Sequence, residues 1–140
     1  MQTTIRVGLC VFLVLVSCED FSTDHDSEIS IHTNSTIYST SEEIQISMTN
    51  NTQQLIYLKS CCSSPDVRIQ KYGNAVWQVL ESTCDELMCP SINIHVQVGQ
   101  RLNWTFGIKD AGRYRLMVAY SKTSTVQFFS TAMSNEFCIR

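Results

Sequence analysis

Apolar and polar side chains alternate with a period of two along most of the chain beyond residue 28, most clearly over Gly112–Tyr120. There Tyr114, Leu116, Val118 and Tyr120 fall on one face while Arg113, Arg115 and Met117 fall on the other, the pattern of a strand with one buried side. The same alternation predicts strands over Glu42–Thr49, where Ile44, Ile46 and Met48 oppose Glu43, Gln45 and Ser47, and over Ile92–Val98 and Leu102–Ile108. Shorter runs at Ile29–Ile31, Ile37–Tyr38, Val126–Phe129 and Phe137–Ile139 complete the set. Leu55–Ser60 is partly apolar on both faces, which suits a central position. Val67–Tyr72 and Val76–Leu80 flank a turn at Tyr72-Gly73-Asn74 and read as a hairpin.

Seven to nine short strands with no helical period inside residues 29–140 predict an all-β domain, a β-sandwich of antiparallel strands. A chain of 140 residues fits one such domain and is small for an enzyme with a deep pocket.

Residues 1–17 read as an export signal. Arg6 supplies positive charge, and Val7–Val16 supplies an apolar run too short to cross a ~30 Å hydrocarbon core. Leu15-Val16-Ser17-Cys18 is similar to the bacterial lipobox, which implies cleavage before Cys18, diacylglycerol attachment and N-acylation there, and a lipid-anchored place in a bacterial cell envelope, facing the periplasm or the exterior. Residues 18–28 are acidic and unpatterned and read as a tether, with His25 an exposed linker residue. The chain so processed carries nine Lys/Arg and thirteen Asp/Glu, a formal charge of −4, which argues against nucleic acid as a partner.

With Cys18 assigned to lipid, five cysteines remain: Cys61, Cys62, Cys84, Cys89 and Cys138. Export permits disulfides, and Cys61 or Cys62 bridging to Cys84 or Cys89 would tie two loops together; spacing does not decide which. A metal cluster of these four is disfavoured, since adjacent cysteines chelate one tetrahedral ion awkwardly and no Cys-x2-Cys knuckle occurs. Cys138 is the expected odd one out, a buried free thiol.

Catalytic motifs are missing: no Gly-x-Ser-x-Gly elbow, no His-Glu-x-x-His, no phosphate-binding glycine loop. No cofactor is implied and the chain reads as a non-enzyme. Asp66, Glu81, Asp85 and Glu86 flank the cysteine loops as solvated acids, and His95 points with the polar set of its strand. Trp77 reads as semi-buried packing ahead of a ligand platform, and Arg113 and Arg115 as solvating, edge-protecting side chains ahead of a ligand clamp. Asn34, Asn50 and Asn103 each head an Asn-x-Ser/Thr triplet; glycosylation there with Cys18 unlipidated would recast the chain as a small secreted glycoprotein.

Several segments carry a family resemblance. They are Tyr38 before Glu43-Ile44-Gln45-Ile46, Thr49-Asn50-Asn51-Thr52, Val76-Trp77 after the Gly73 turn, Val98-Gly99 before Leu102–Phe106, Ala111-Gly112-Arg113-Tyr114-Arg115, and Ser134-Asn135-Glu136-Phe137. Over roughly residues 29–139 the chain resembles bacterial exported immunoglobulin-like domains carried on lipoproteins, akin to the BsuPI proteinase-inhibitor domain. The resemblance implies an immunoglobulin-like fold and a non-catalytic, membrane-anchored envelope protein with an interaction or structural role, whose ligand, an envelope protein or glycan, meets its loops. It also implies an alternative, proteinase inhibition through Cys61–Asp66 or Ser82–Ser91.

Overall fold

A computed structural model describes residues 28–62, 64–84, 91–124 and 130–140; the expected signal, nearly all of the tether, Cys89 and the expected strand Val126–Phe129 lie outside them. The alternating segments form β1 (Ile29–Thr33), β2 (Ile37–Tyr38), β3 (Ile44–Asn50), β4 (Ile56–Cys61), β5 (Ser64–Pro65), β6 (Val67–Gly73), β7 (Val76–Ser82), β8 (Ser91–Val96), β9 (Arg101–Phe106), β10 (Gly112–Ser121), β11 (Ser130–Met133) and β12 (Phe137–Ile139). Twelve segments exceed the expected seven to nine, partly because β2 and β5 are two-residue pairings too short to carry an alternation signal. The fold is all-β, an immunoglobulin-like sandwich.

One sheet is β1-β3-β9, antiparallel throughout. The other is built on β10, with β11 and β12 on one flank and β6 and β4 on the opposite flank. Beyond β4 lie β5 and β8, beyond β6 lies β7, and β2 joins β12 in parallel, a departure from the antiparallel expectation. The facing sides meet where alternation places them: Ile31, Ile44, Ile46 and Met48 from the first sheet against Leu58, Val67, Ile69, Tyr114, Leu116 and Val118 from the second, all 4% exposed or less. Tyr114 stacks on Phe137 at 6.0 Å and Tyr38 meets Phe137 edge-on at 5.7 Å, an aromatic cluster at the β10–β12 end.

Leu55–Ser60 corresponds to β4, which lies between β10 and β8 as its two apolar faces suggest. The β6–β7 hairpin turns at Asn74–Ala75, with φ of 53° and 62°, a residue later than expected. Positive φ at both central residues suits a tight hairpin, and asparagine tolerates it better than alanine. Alternation over-predicted burial at Ile92 and Val98, which are 48% and 56% exposed: β8 pairs only with β4 among the described residues, and Val98 lies beyond the strand.

Asn50 is fully buried where β3 ends. Its amide nitrogen donates to the carbonyls of Gln54 (3.0 Å), Val96 (2.9 Å) and Gln97 (3.2 Å), while its oxygen accepts the Thr52 amide (3.0 Å) and hydroxyl (2.6 Å). One side chain thus fixes the turn after β3 to the end of β8. At the start of the domain Glu28 takes Lys122 (2.5 Å) and the Tyr120 hydroxyl (3.1 Å). These hydrogen bonds, Lys122 first, hold its carboxyl below the usual carboxylate range.

Candidate recognition face

Register assigns the outward side of the larger sheet. On β10 it shows Arg113, Arg115 and Met117; opposite Arg115 on β6 is Gln70, opposite Met117 is Arg68, and Tyr72 continues the outward row. Trp77 pairs with Tyr72 and Val79 with Gln70, which brings β7 onto the same surface.

The aromatic and cationic groups interleave. The Arg113 guanidinium lies 5.0 Å from the Tyr72 ring centre and 5.9 Å from that of Trp77; Arg115 lies 4.3 Å over Trp77. Tyr72 and Trp77 sit 5.2 Å apart. Each guanidinium is also held from its other side, Arg113 by Glu136 at 2.6 Å and Arg115 by the Gln70 side-chain oxygen at 2.7 Å. Stacking and hydrogen bonds together orient both arginines before any ligand arrives. Burial lowers the Arg115 pKa, an effect that Glu136 partly offsets, and the guanidinium keeps its charge at physiological pH.

β7 borders this face. Among the described residues it pairs with β6 alone, and Val76, Val79 and Leu80 are each about half exposed, at 52%, 53% and 50%. Sheet edges are usually shielded by lysine, proline or strong bulging. The strand has neither lysine nor proline, and its one irregularity is a register shift opposite Ile69/Gln70. By contrast β9, an edge of the smaller sheet, turns Arg101, Asn103 and Thr105 to solvent. At the Arg68 end Asp66 and Glu81 line a 340 Å³ depression, while at the other end Glu136 pairs with Arg113 and Arg115 is bonded to the neutral Gln70 side chain.

The structure thus brings together three residues that the sequence left apart: Trp77 is half-buried, but on the outward face beneath Arg115, and Arg113 completes the ladder. Tyr72 was missed. Its spacing of two from Gln70 and its place beside the turn were legible, but pairing with Trp77 depends on the turn falling at Asn74–Ala75, a residue later than expected.

The cysteines divide as follows. Cys61 bonds to Cys84 with Cα atoms 5.6 Å apart, tying the end of β4 to the residues after β7. Cys62 is disulfide-bonded, and so is Cys138, which corrects the free-thiol expectation. Cys138 lies opposite outward-facing Arg113, on the side of the sheet away from the core, although only 4% exposed. Cys62 follows β4 on one flank of β10 and Cys138 belongs to β12 on the other. Two strand spacings, ~10 Å, separate those flanks. A disulfide spans at most ~6.8 Å between Cα atoms, so Cys62 and Cys138 enter separate bonds. Cys18 and Cys89 fall outside the described residues.

Asp66 binds Lys59 at 3.5 Å and accepts from the Ser82 hydroxyl, a structural use of that acid; Asp85, Glu86 and His25 fall outside the described residues. His95 is exposed and packs edge-on to Tyr57 at 5.0 Å. Within Cys61–Asp66, Ser64 and Pro65 fold back as β5 against β4. Among the described residues no group of three or more His, Cys, Asp or Glu could hold a metal ion, and no helix is long and apolar enough to cross a membrane.

No family model and no curated protein matches the sequence. Among solved structures, the ASH/PapD-like domain 7 of human CEP192 is similar, with a TM-score of 0.36 and 10% identity, over 90% of this chain and 96% of that one.

Proposed function

We propose that the protein is an exported, non-catalytic recognition module whose β10–β6–β7 face takes an extended, acidic protein segment. The observation that carries this is an apolar edge strand beside a pre-oriented ladder of arginine and aromatic side chains. Among the described residues β7 pairs with β6 alone, and the backbone groups on the other side of Val76–Glu81 suit pairing with an added strand, the most economical way to hold a peptide of varied sequence. Arg115, bonded to the neutral Gln70 side chain, supplies charge complementarity in an otherwise acidic chain, and Trp77, Tyr72 and Arg115 are the residue types that dominate binding energy at protein interfaces.

Sulfur balance supports export without a lipid anchor. A chain cleaved before Cys18 and acylated there would keep Cys89 as the one cysteine left to serve both Cys62 and Cys138. A lipidated monomer is therefore one sulfur short. Cys18 as a half-cystine closes the count, and one sulfur cannot both carry a lipid and form a disulfide. Mass analysis of the mature N-terminus separates the two fates: acyl mass on Cys18 would restore the anchored reading.

For recognition, the test is selection of random extended peptides on the folded, oxidised protein. Selected sequences should be rich in Asp and Glu, and Trp77→Ala should weaken their binding about tenfold, the effect of losing one aromatic anchor. Neutral or basic selected sequences, or undiminished binding by a Trp77→Ala protein of unchanged melting temperature, would remove the proposal.

A further inference from the structure

The smaller sheet offers a different kind of site. Three Asn-x-Ser/Thr triplets are present, and the fold treats them unequally. Asn34 and Asn103 are exposed, as are Thr36 and Thr105 two residues on. The Asn34 side-chain oxygen accepts the Tyr38 hydroxyl at 2.6 Å and the Gln45 amide at 3.3 Å, which leaves its NH2 group pointing free of the sheet's hydrogen bonds among the described residues. Asn103 makes no side-chain hydrogen bond among the described residues and projects from edge strand β9 on its polar side.

Asn50 is the opposite case. Its NH2 group is fully buried and donates to three carbonyls, while the Thr52 hydroxyl is bonded to Asn50 and to the Gln54 carbonyl. Any substituent on that nitrogen would break the turn after β3.

Asn34 and Asn103 are also neighbours. The Asn34 amide donates to the Gln45 carbonyl at 3.0 Å, Gln45 pairs with Thr105, and both asparagines line one open groove of about 410 Å³ whose floor includes Trp104. That groove lies on the sheet opposite the β10–β6–β7 face.

We infer that Asn34 and Asn103 are paired N-glycosylation sites and that Asn50 is not one. The inference rests on export through a compartment that holds an oligosaccharyl transferase, where disulfides also form. It does not depend on what the other face binds. The co-reactant is a lipid-linked oligosaccharide pyrophosphate: a bond forms from the asparagine Nδ2 to sugar C1 as the C1–O bond to pyrophosphate breaks. The lipid pyrophosphate leaves with that electron pair, and the amide proton passes to a transferase base. Two glycans on one groove would cover the β1–β3–β9 side and leave the arginine–aromatic face bare.

The experiment is expression of the full chain in a eukaryotic secretory host, with site mapping by peptide-N-glycosidase in heavy-oxygen water on the secreted, folded protein and separately on the retained protein. Label at Asn34 and Asn103 with none at Asn50 in folded protein is expected. Asn34→Gln and Thr36→Ala should each remove one glycan, as should Asn103→Gln and Thr105→Ala; the Thr36→Ala change preserves the Asn34–Tyr38 hydrogen bond, so a folding defect does not mimic the result. Glycan on Asn50 in folded protein, or no glycan on either Asn34 or Asn103, overturns the inference.

Discussion

Asn50→Ala removes five side-chain hydrogen bonds from a fully buried position. Some groups keep a second partner: the Gln54 carbonyl retains the Thr52 hydroxyl at 2.8 Å and the Gln97 carbonyl retains the Gln100 amide at 3.0 Å. The Thr52 amide keeps none among the described residues. Net losses of ~1 kcal/mol per bond, reduced by those retained partners and increased by one stranded amide, give about 3–5 kcal/mol of lost stability. Asn50→Asp is the sharper variant, because it is isosteric and leaves the Thr52 contacts in place while turning an acceptor oxygen toward three carbonyls. Burial among carbonyls raises that carboxyl's folded pKa above its unfolded value of ~3.9, so the penalty stands at neutral pH and fades as acid protonates both states. Urea unfolding with disulfides intact measures both, at pH 7 and near pH 4. A loss below ~1 kcal/mol for Asn50→Ala, or an Asn50→Asp protein as stable as the parent at pH 7, would refute the keystone role.

Three further outcomes are expected. Ala75→Gly should stabilise the hairpin by ~0.5–1 kcal/mol, since relief of positive φ outweighs glycine's chain entropy, and a thermal melt would show an upward shift. Replacing Cys61 and Cys84 together by alanine should cost about 3 kcal/mol, the loop-closure entropy for a separation of 23 residues, seen as an earlier urea midpoint. The depressed Glu28 pKa makes its contribution present above the unfolded value and lost as pH falls through the folded one; Glu28→Gln should therefore flatten the acid limb of stability against pH, and high salt should do the same.

What could be read in the sequence was whatever period two controls. Ile44, Ile46 and Met48, and Tyr114, Leu116 and Val118, face the core because strand geometry leaves them no other side. Partner choice was not legible, since it depends on register. Arg115 meets Trp77 only because β6 pairs with β10 and β7 pairs with β6 in a register that puts both side chains on one face, a consequence of long-range pairing. Cys138 was misjudged for a related reason: counting cysteines after giving Cys18 to lipid left an odd thiol, whereas the structure oxidises Cys138. The three Asn-x-Ser/Thr triplets look alike in sequence, and only burial separates Asn50 from Asn34 and Asn103.

Amide hydrogen exchange on the full oxidised chain, with and without a selected acidic peptide, tests the recognition face most directly. Slowed exchange confined to Val76–Ser82 and the adjoining β6 residues, and absent from the Trp77→Ala protein, is the predicted result. Protection centred on Cys61–Asp66, or on the β9 edge with β7 unchanged, would contradict it.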